Sequence, residues 1–326
     1  MSNVVRIHQV GGPEVLRWED VDVGNPEAGQ TLIRQTAAGL NYIDTYHRTG
    51  LYPVASLPVV LGMEGAGVVE AVGQGVKEVS VGDRVAYCMA IGGYAERRLV
   101  QARVLVRLPD GISDEQGAAM MLKGCTAQYL LRRTYTVKPG ETILIHAAAG
   151  GVGLIACQWA KLLGATVIGT VGSPDKAAVA KAHGCDHTIN YKTEHFVERV
   201  REITHGAGVP VVYDSVGKDT FTASLDCLRP RGLMVSFGQS SGAIPPFSPG
   251  VLATKGSLFL TRPTLVNYTS TREELVATAN QLFDVVLKGA VKIEVNQTYP
   301  LNQTAQAHRD LEARKTTGST VLRMAN

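Results

Sequence analysis

The run Ala147-Ala-Ala-Gly-Gly-Val-Gly153 is the segment whose residue types and spacing point most directly to chemistry. It follows a β-branched stretch at residues 142–146 and precedes an apolar helical run that reaches Leu163. A strand, a glycine loop and a helix N-terminus in that order aim free backbone N–H groups and the positive end of a helix dipole at one spot, which suits a pyrophosphate. Gly150 and Gly151 allow close approach beside Val152, and Gly153 lets the helix lie against the strand. Ala148 stands where the first glycine of G-x-G-x-x-G belongs, so the match is imperfect, and its weight comes from the strand-loop-helix setting.

The second strand selects among dinucleotides. An NAD site places Asp or Glu about 20 residues beyond the loop, against the ribose hydroxyls. Residues 154–174 contain no acidic side chain. Instead the strand ends in Val171-Gly172-Ser173, and Lys176 follows on the first turn of the next helix, where its ammonium can meet a 2′-phosphate. Asp175 beside it reads as a helix-dipole partner. These residues point to NADPH. Tyr191, at the end of the third strand, can stack or bond near the same phosphate or serve as a plain boundary residue.

These groups need a framework to hold them, and the chain beyond Thr142 supplies one. Short β-branched runs at residues 142–146, 166–170, 187–189, 209–214, 233–237 and 257–261 alternate with helical stretches, the starts lying about 20 to 24 residues apart. That is the βαβ rhythm of a parallel sheet. Ser173-Pro174 offers an N-cap and an N1 proline, with Gly184 as the left-handed stop, bounding a helix at 174–183. Phe196, Val197, Val200 and Ile203 share one helical face before Gly206. Thr271-x-x-Glu274 reads as a capping box before another apolar stripe. Upstream of residue 120 the texture changes to short alternating runs at 31–35, 65–72 and 83–87, the mark of a small, largely antiparallel β domain. The boundary falls near Gly124. After about residue 265 the parallel rhythm is lost, and a helix, a strand-like 291–299, a second helix and 320–323 form a tail able to return to the first domain.

Composition narrows the field. With 326 residues, 45% of them apolar and 19% charged, the chain can bury enough surface to fold as two domains. A net charge of +3 without long like-charge blocks argues against a polyanion partner such as nucleic acid. The five cysteines lie 28 to 42 residues apart with no Cys-x-x-Cys, which indicates neither a disulfide scaffold nor a zinc knuckle and suits reduced thiols in the cytoplasm. Neither a signal peptide nor a membrane span is expected.

Seven segments together resemble a known family: Gly11-Gly-Pro-Glu-Val-Leu16, Asn41-Tyr-Ile-Asp-Thr-Tyr46, Gly50-Leu-Tyr52, Val81-Gly-Asp-Arg-Val85, the His146 glycine loop, Val212-Tyr-Asp-Ser215 and Thr261-Arg-Pro263. The chain is similar to the zinc-independent, zeta-crystallin-like NADPH:quinone oxidoreductases of the medium-chain dehydrogenase/reductase superfamily. The resemblance implies an α/β protein with a GroES-like β domain at 1–123 and 265–326 and a doubly wound Rossmann domain at 124–264, usually as a homodimer built by edge-to-edge sheet addition. It implies that Asn41, Tyr46 and Tyr52 sit near the nicotinamide end, with Asn41 and Tyr46 donating hydrogen bonds to a developing oxyanion. Asn41 can equally cap a turn, and the tyrosines can be wall residues. Further cofactor contacts carried over are Tyr42, Ile43, Asp44, Thr45, Thr126, Tyr129, Ser215, Phe237, Gly238, Gln239, Ser240, Thr261, Arg262, Pro263 and Arg314. The zinc-dependent branch of the superfamily holds its metal with an early Cys and a Gly-His-Glu; here Asn41 and Gly62-Met63-Glu64 stand instead, so no metal site is expected.

An acceptor reduced without a metal must be electrophilic already, as a quinone is. The expectation is therefore an NADPH-dependent quinone reductase. Two alternatives remain open: an NADPH-dependent enone or alkenal reductase on the same fold, and a non-catalytic protein that binds NADPH and RNA.

Overall fold

The computed structural model describes residues 1–324, which divide into two compact units. Among the described residues, the first comprises residues 1–125, 269–287 and 293–324, and the second residues 126–268 and 288–292. The first break falls two residues later than the sequence suggested, inside helix α2 (Asp114–Tyr129), where no composition break marks it, and the second falls four residues later, after Tyr268. The tail also does not belong wholly to the first unit. Residues 288–292 belong to the second, where the Gln158 side chain bonds both the N–H and the carbonyl of Lys292.

The first unit is built on the long strand Gln30–Leu40, paired antiparallel to Glu64–Val72, Arg97–Gln101 and Ser319–Arg323. Register shifts at Leu32/Ile33 and Gln35/Ala37 bend this strand so that it serves several partners. One pair in this sheet is parallel, Val295–Pro300 with Ser319–Arg323. A smaller antiparallel sheet joins Ser2–Ile7 to Arg17–Val21 and Val59–Val60. The tail contributes Leu301, Ala307 and Leu322 to a core shared with Val5, Ile7, Leu40, Leu61 and Tyr94. Helix α1 (Tyr42–Thr49) follows directly from the long strand and stops at Gly50, whose φ of +79° no branched residue adopts cheaply.

The second unit carries a six-stranded, all-parallel sheet. Its spatial order is His187–Asn190, Thr166–Val171, Thr142–Ile145, Val209–Asp214, Leu228–Ser236 and Phe259–Thr261, so the chain lays down its first three strands outward to one side of the sheet and the next three outward to the other, all of them parallel. This is the doubly wound Rossmann order. Val209–Asp214 is buried at every residue, as a central strand covered on both faces must be. Helices α3 (Gly151–Leu162) and α4 (Pro174–Ala182) start where the punctuation placed them, and the Ser173 hydroxyl accepts from Lys176 N at 3.3 Å. The last strand is shorter than 257–261 because Gly256 and Ser257 both adopt positive φ. Thr271 caps its helix as the sequence indicates. Thr271 Oγ1 accepts from Glu274 N, and Glu274 Oε2 accepts from Ser270 N and Ser270 Oγ. Among the described residues no helix is long and apolar enough to cross a membrane.

Candidate cofactor and acceptor site

The loop residues singled out in the second unit lie at one end of its sheet. The loop holding Gly150 follows Thr142–Ile145, Gly172 and Ser173 follow Val171, Tyr191 follows Asn190, Ser215 follows Asp214, Phe237 follows Ser236, and Arg262 follows Thr261. The carboxyl ends of parallel strands are where open α/β sheets bind ligands.

The glycine loop is shaped by its own carbonyls. Ala147 takes a φ of +53°, and Gly150, extended at φ −84° and ψ 175°, caps α3. A Cβ on Gly153 would lie 2.4 Å from Ala147 O and 2.7 Å from Ala148 O. Gly153 is therefore required by the loop it follows rather than by the strand it was expected to approach. The result is a concave turn ahead of a helix whose first N–H groups have no intrahelical acceptor, which fits a pyrophosphate. The neighbouring His146 is buried between Thr170 Oγ1 at 2.9 Å and Ser224 Oγ at 2.8 Å, and burial pulls it below its ordinary range, so it holds the strand end in neutral form.

At the second strand, a Cβ on Gly172 would meet the Tyr191 hydroxyl at 2.7 Å. That contact sets Tyr191, 40% exposed, beside the turn carrying Ser173 and Lys176, with no carboxylate between Leu154 and Pro174. These groups suit a phosphate on an adenosine ribose. The buried Asp214 carboxylate accepts from Val216 N, Gly217 N and Thr220 Oγ1 and fixes the turn at Ser215. The loop 237–240 packs on it, Gly238 lying where a Cβ would strike Ser215 O at 2.6 Å and Ser240 N donating to Ser215 O. Arg262 turns back on the sheet and donates to Ser236 O at 2.9 Å. It lines an open groove of about 360 Å³ with Ser236, Pro246, Phe247 and Leu260. Tyr129 stacks on Tyr268 at 4.4 Å, and burial pushes its hydroxyl up.

The first unit holds the other group. Asn41 precedes α1, its N–H donating to Asp44 Oδ2 at 2.8 Å. Tyr46 and Tyr52 meet edge-on with ring centroids 5.1 Å apart, and Tyr42 lies next to Tyr46 at 6.4 Å. Thr45 turns its hydroxyl onto Tyr42 O, and the Tyr42 hydroxyl donates to Leu311 O. Ile43 is half-buried on the same helix, while Thr126, buried in α2, belongs to the second unit. Arg314 lies beyond the C-terminal helix Thr304–Glu312 with a φ of +58°.

One expectation needs correction here. The Asn41 amide does not stand ready as an oxyanion donor: Nδ2 donates to Glu64 Oε1 at 2.8 Å and faces Gly39 O at 3.5 Å. Around it lie residues the sequence did not single out. Glu64 also accepts from Lys123 Nζ and Leu122 N. Asp44 Oδ2 accepts from Tyr94 Oη at 2.8 Å, Tyr94 meets His308 Nε2 at 3.1 Å, His308 Nδ1 meets Arg48 at 3.0 Å, and Arg48 forms a two-pronged pair with Glu312. Burial, reinforced by Glu64, pushes Asp44 up to about 7, while burial and Arg48 push His308 down to about 3.

Comparison with known proteins bears on what these two groups serve. Residues 27–110 match the family model described as an alcohol dehydrogenase GroES-like domain, and residues 151–285 the one described as a zinc-binding dehydrogenase. A quinone oxidoreductase of Pseudomonas aeruginosa is 54% identical over 323 residues, 99% of each chain. The chain belongs to the quinone oxidoreductase family of the medium-chain dehydrogenase/reductase superfamily. Within that family, the crystal structure of the Escherichia coli quinone oxidoreductase complexed with NADPH matches at a TM-score of 0.97 and 51% identity, covering 98% of this chain and 99% of that one. A 2-haloacrylate reductase of Burkholderia is 50% identical over 97% of each chain. The zinc in one model's description does not fit this member. Among the described residues no three His, Cys, Asp or Glu side chains gather to hold a metal ion, and both oxygens of Glu64 are already taken by N–H donors.

Proposed function

We infer that this family member is an NADPH-dependent quinone oxidoreductase. The observation that carries the reading is the carboxyl end of the parallel sheet: a glycine-cradled helix N-terminus beside an acid-free turn bearing Lys176, in a chain about half identical to quinone oxidoreductases throughout its length. Residues 150–153 bind the pyrophosphate. Ser173, Lys176 and Tyr191 bind the 2′-phosphate, and Ser215, residues 237–240 and Thr261, Arg262 and Pro263 line the path to the nicotinamide. When bound, NADPH supplies the hydride. Thr126, Tyr129 and Arg314 complete the cofactor contacts, with Tyr42, Ile43, Asp44 and Thr45 at the reactive end. Tyr46 and Tyr52 wall the acceptor, and Tyr46 donates to the oxygen that gains charge.

Lys176→Ala tests the phosphate contact. It should raise the KM for NADPH about tenfold or more, the worth of one charge-assisted bond, and leave the KM for NADH unchanged. An equal effect on both cofactors would overturn the assignment.

A second reading follows from the 2-haloacrylate reductase relative, since an acrylate is also an acceptor activated by conjugation. Turnover of simple quinones against that of alkenals and haloacrylates at matched concentrations separates the two. The protein works as a homodimer in the cytoplasm on this reading. In support, the edge strand Phe259–Thr261 leaves Phe259 61% exposed at the end of the sheet, and all five cysteines are free and buried.

A further inference from the structure

A line of buried hydrogen bonds in the second unit runs from Asp214 to the start of the glycine loop. The Asp214 carboxylate accepts from Thr220 Oγ1 at 2.8 Å, and Thr220 O accepts from Ser224 Oγ at 2.7 Å. Ser224 Oγ then meets His146 Nε2 at 2.8 Å, His146 Nδ1 meets Thr170 Oγ1 at 2.9 Å, and Thr170 Oγ1 accepts from Ala147 N at 3.3 Å. Asp214, Ser224, His146 and Thr170 are each no more than 1% exposed, so bulk water cannot stand in for a missing partner.

Counting protons fixes the tautomer of His146. Among the described residues Thr170 Oγ1 meets one acceptor, His146 Nδ1, because its other contact, Ala147 N, is itself a donor. A proton on Nδ1 would leave the Thr170 hydroxyl hydrogen with nothing to bind in a dry setting. With the proton on Nε2 every hydrogen finds an acceptor: Nε2–H donates to Ser224 Oγ, the Ser224 hydroxyl to Thr220 O, and the Thr170 hydroxyl to Nδ1. Phe196 meets the imidazole edge-on with centroids 5.1 Å apart and holds the ring plane.

Thr170 therefore turns lone pairs toward the glycine loop. Its hydroxyl receives Ala147 N, and its carbonyl receives Ala148 N at 3.0 Å. These two bonds bracket the left-handed Ala147, a conformation that a residue with a Cβ keeps only where its surroundings hold it. Ala147 O in turn accepts from Gly150 N at 2.9 Å, which closes the loop ahead of α3.

We propose that His146 and Thr170 are positioning residues for the cofactor. His146, fixed with its proton on Nε2, orients the Thr170 hydroxyl so that its lone pair holds Ala147 in the left-handed turn and keeps the glycine loop ready for a pyrophosphate. The proposal rests on the preceding reading, which gives residues 150–153 to the pyrophosphate. Without the bond the loop spends part of its time in other conformations, and apparent affinity falls with the fraction lost. The pyrophosphate is common to NADPH and NADH, so both cofactors weaken alike, unlike the effect expected at Lys176.

The test compares Thr170→Val, which removes the hydroxyl at nearly constant volume, and Thr170→Ser, which keeps it, with the parent. Thr170→Val should raise the Kd for NADPH and for NADH by the same factor, roughly fivefold to tenfold, the worth of one neutral hydrogen bond. With 1,4-benzoquinone its KM for NADPH should rise in step, while kcat at saturating NADPH moves by less than about twofold. Thr170→Ser should return both constants to parental values. Parental Kd in folded Thr170→Val, or a loss confined to NADPH, would overturn the proposal. In the ligand-free parent, ¹⁵N spectra of labelled histidine should show His146 protonated at Nε2 and bare at Nδ1. A proton on Nδ1 would overturn the proposal whether or not the variants fold. A parent that binds neither nucleotide would sink the functional reading instead, and the tautomer would still report on the line of bonds.

Discussion

Arg48, His308, Tyr94 and Asp44 form a chain whose direction is set at one end. A guanidinium only donates, so His308 Nδ1 accepts, Nε2 keeps its proton for the Tyr94 oxygen, and the Tyr94 hydroxyl donates to Asp44 Oδ2. The two titrating members pull stability in opposite directions. Asp44 is raised from 3.8 to about 7, so between those values the folded chain holds a proton the unfolded chain has lost, and stability falls as pH rises. His308 is lowered from 6.5 to about 3, so across that window the unfolded chain holds the extra proton and stability climbs with pH. The two slopes offset where the windows overlap. Asp44→Asn removes one of them, and its unfolding free energy from denaturant titration should then rise from pH 4 to pH 6.5 by up to about 1.4 kcal/mol per pH unit more steeply than the parent's. Parallel profiles would contradict this account. Tyr46→Phe belongs to the same scale: it should lower kcat with a quinone by roughly a hundredfold to a thousandfold, as loss of an oxyanion donor does, with NADPH affinity measured by fluorescence unchanged.

At the scale of elements, the glycine loop and α3 act as one piece. Gly153→Ala would drive a methyl into Ala147 O and Ala148 O. The expected result is a loss of roughly 1–3 kcal/mol of stability together with weaker NADPH binding, read by thermal melting and by titration. Loss of stability with full affinity would show that the loop can shift without harm to the site. Ser173→Ala should cost about 1 kcal/mol through the lost cap on α4. This part of the molecule was legible in the sequence because its signals are local: strand, glycine, helix and cap follow one another within a few residues. The surroundings of Asn41 were not. Glu64 and Lys123 lie 59 residues apart and Tyr94 and His308 lie 214 apart, and no periodicity reports which polar groups meet in a core. The direction of the Asn41 amide was misread for that reason, since the partner of its nitrogen is a carboxylate on another strand. The early start of the strand Leu228–Ser236 also escaped notice, because Arg-Pro-Arg-Gly reads as a turn.

At the scale of the whole molecule, the sheet of the second unit ends in an edge strand bearing Phe259, paired on one side with Leu228–Ser236, with Leu260 36% exposed and Val266 47% exposed close by in sequence. Phe259→Lys should shift the parent from dimer to monomer in light scattering coupled to size exclusion, since a charge on an open edge opposes pairing. A monomeric parent would remove this edge from the account. The second unit's six strands lie in one uninterrupted stretch ending at Thr261, whereas the long sheet of the first needs Ser319–Arg323 against Gln30–Leu40. During synthesis, then, the order of maturation inverts the order of translation. The cofactor-binding sheet has all its strands outside the ribosome while the earlier-made β unit still waits for its tail, and a nascent chain stalled near residue 310 should already retain NADPH without any capacity to reduce a quinone.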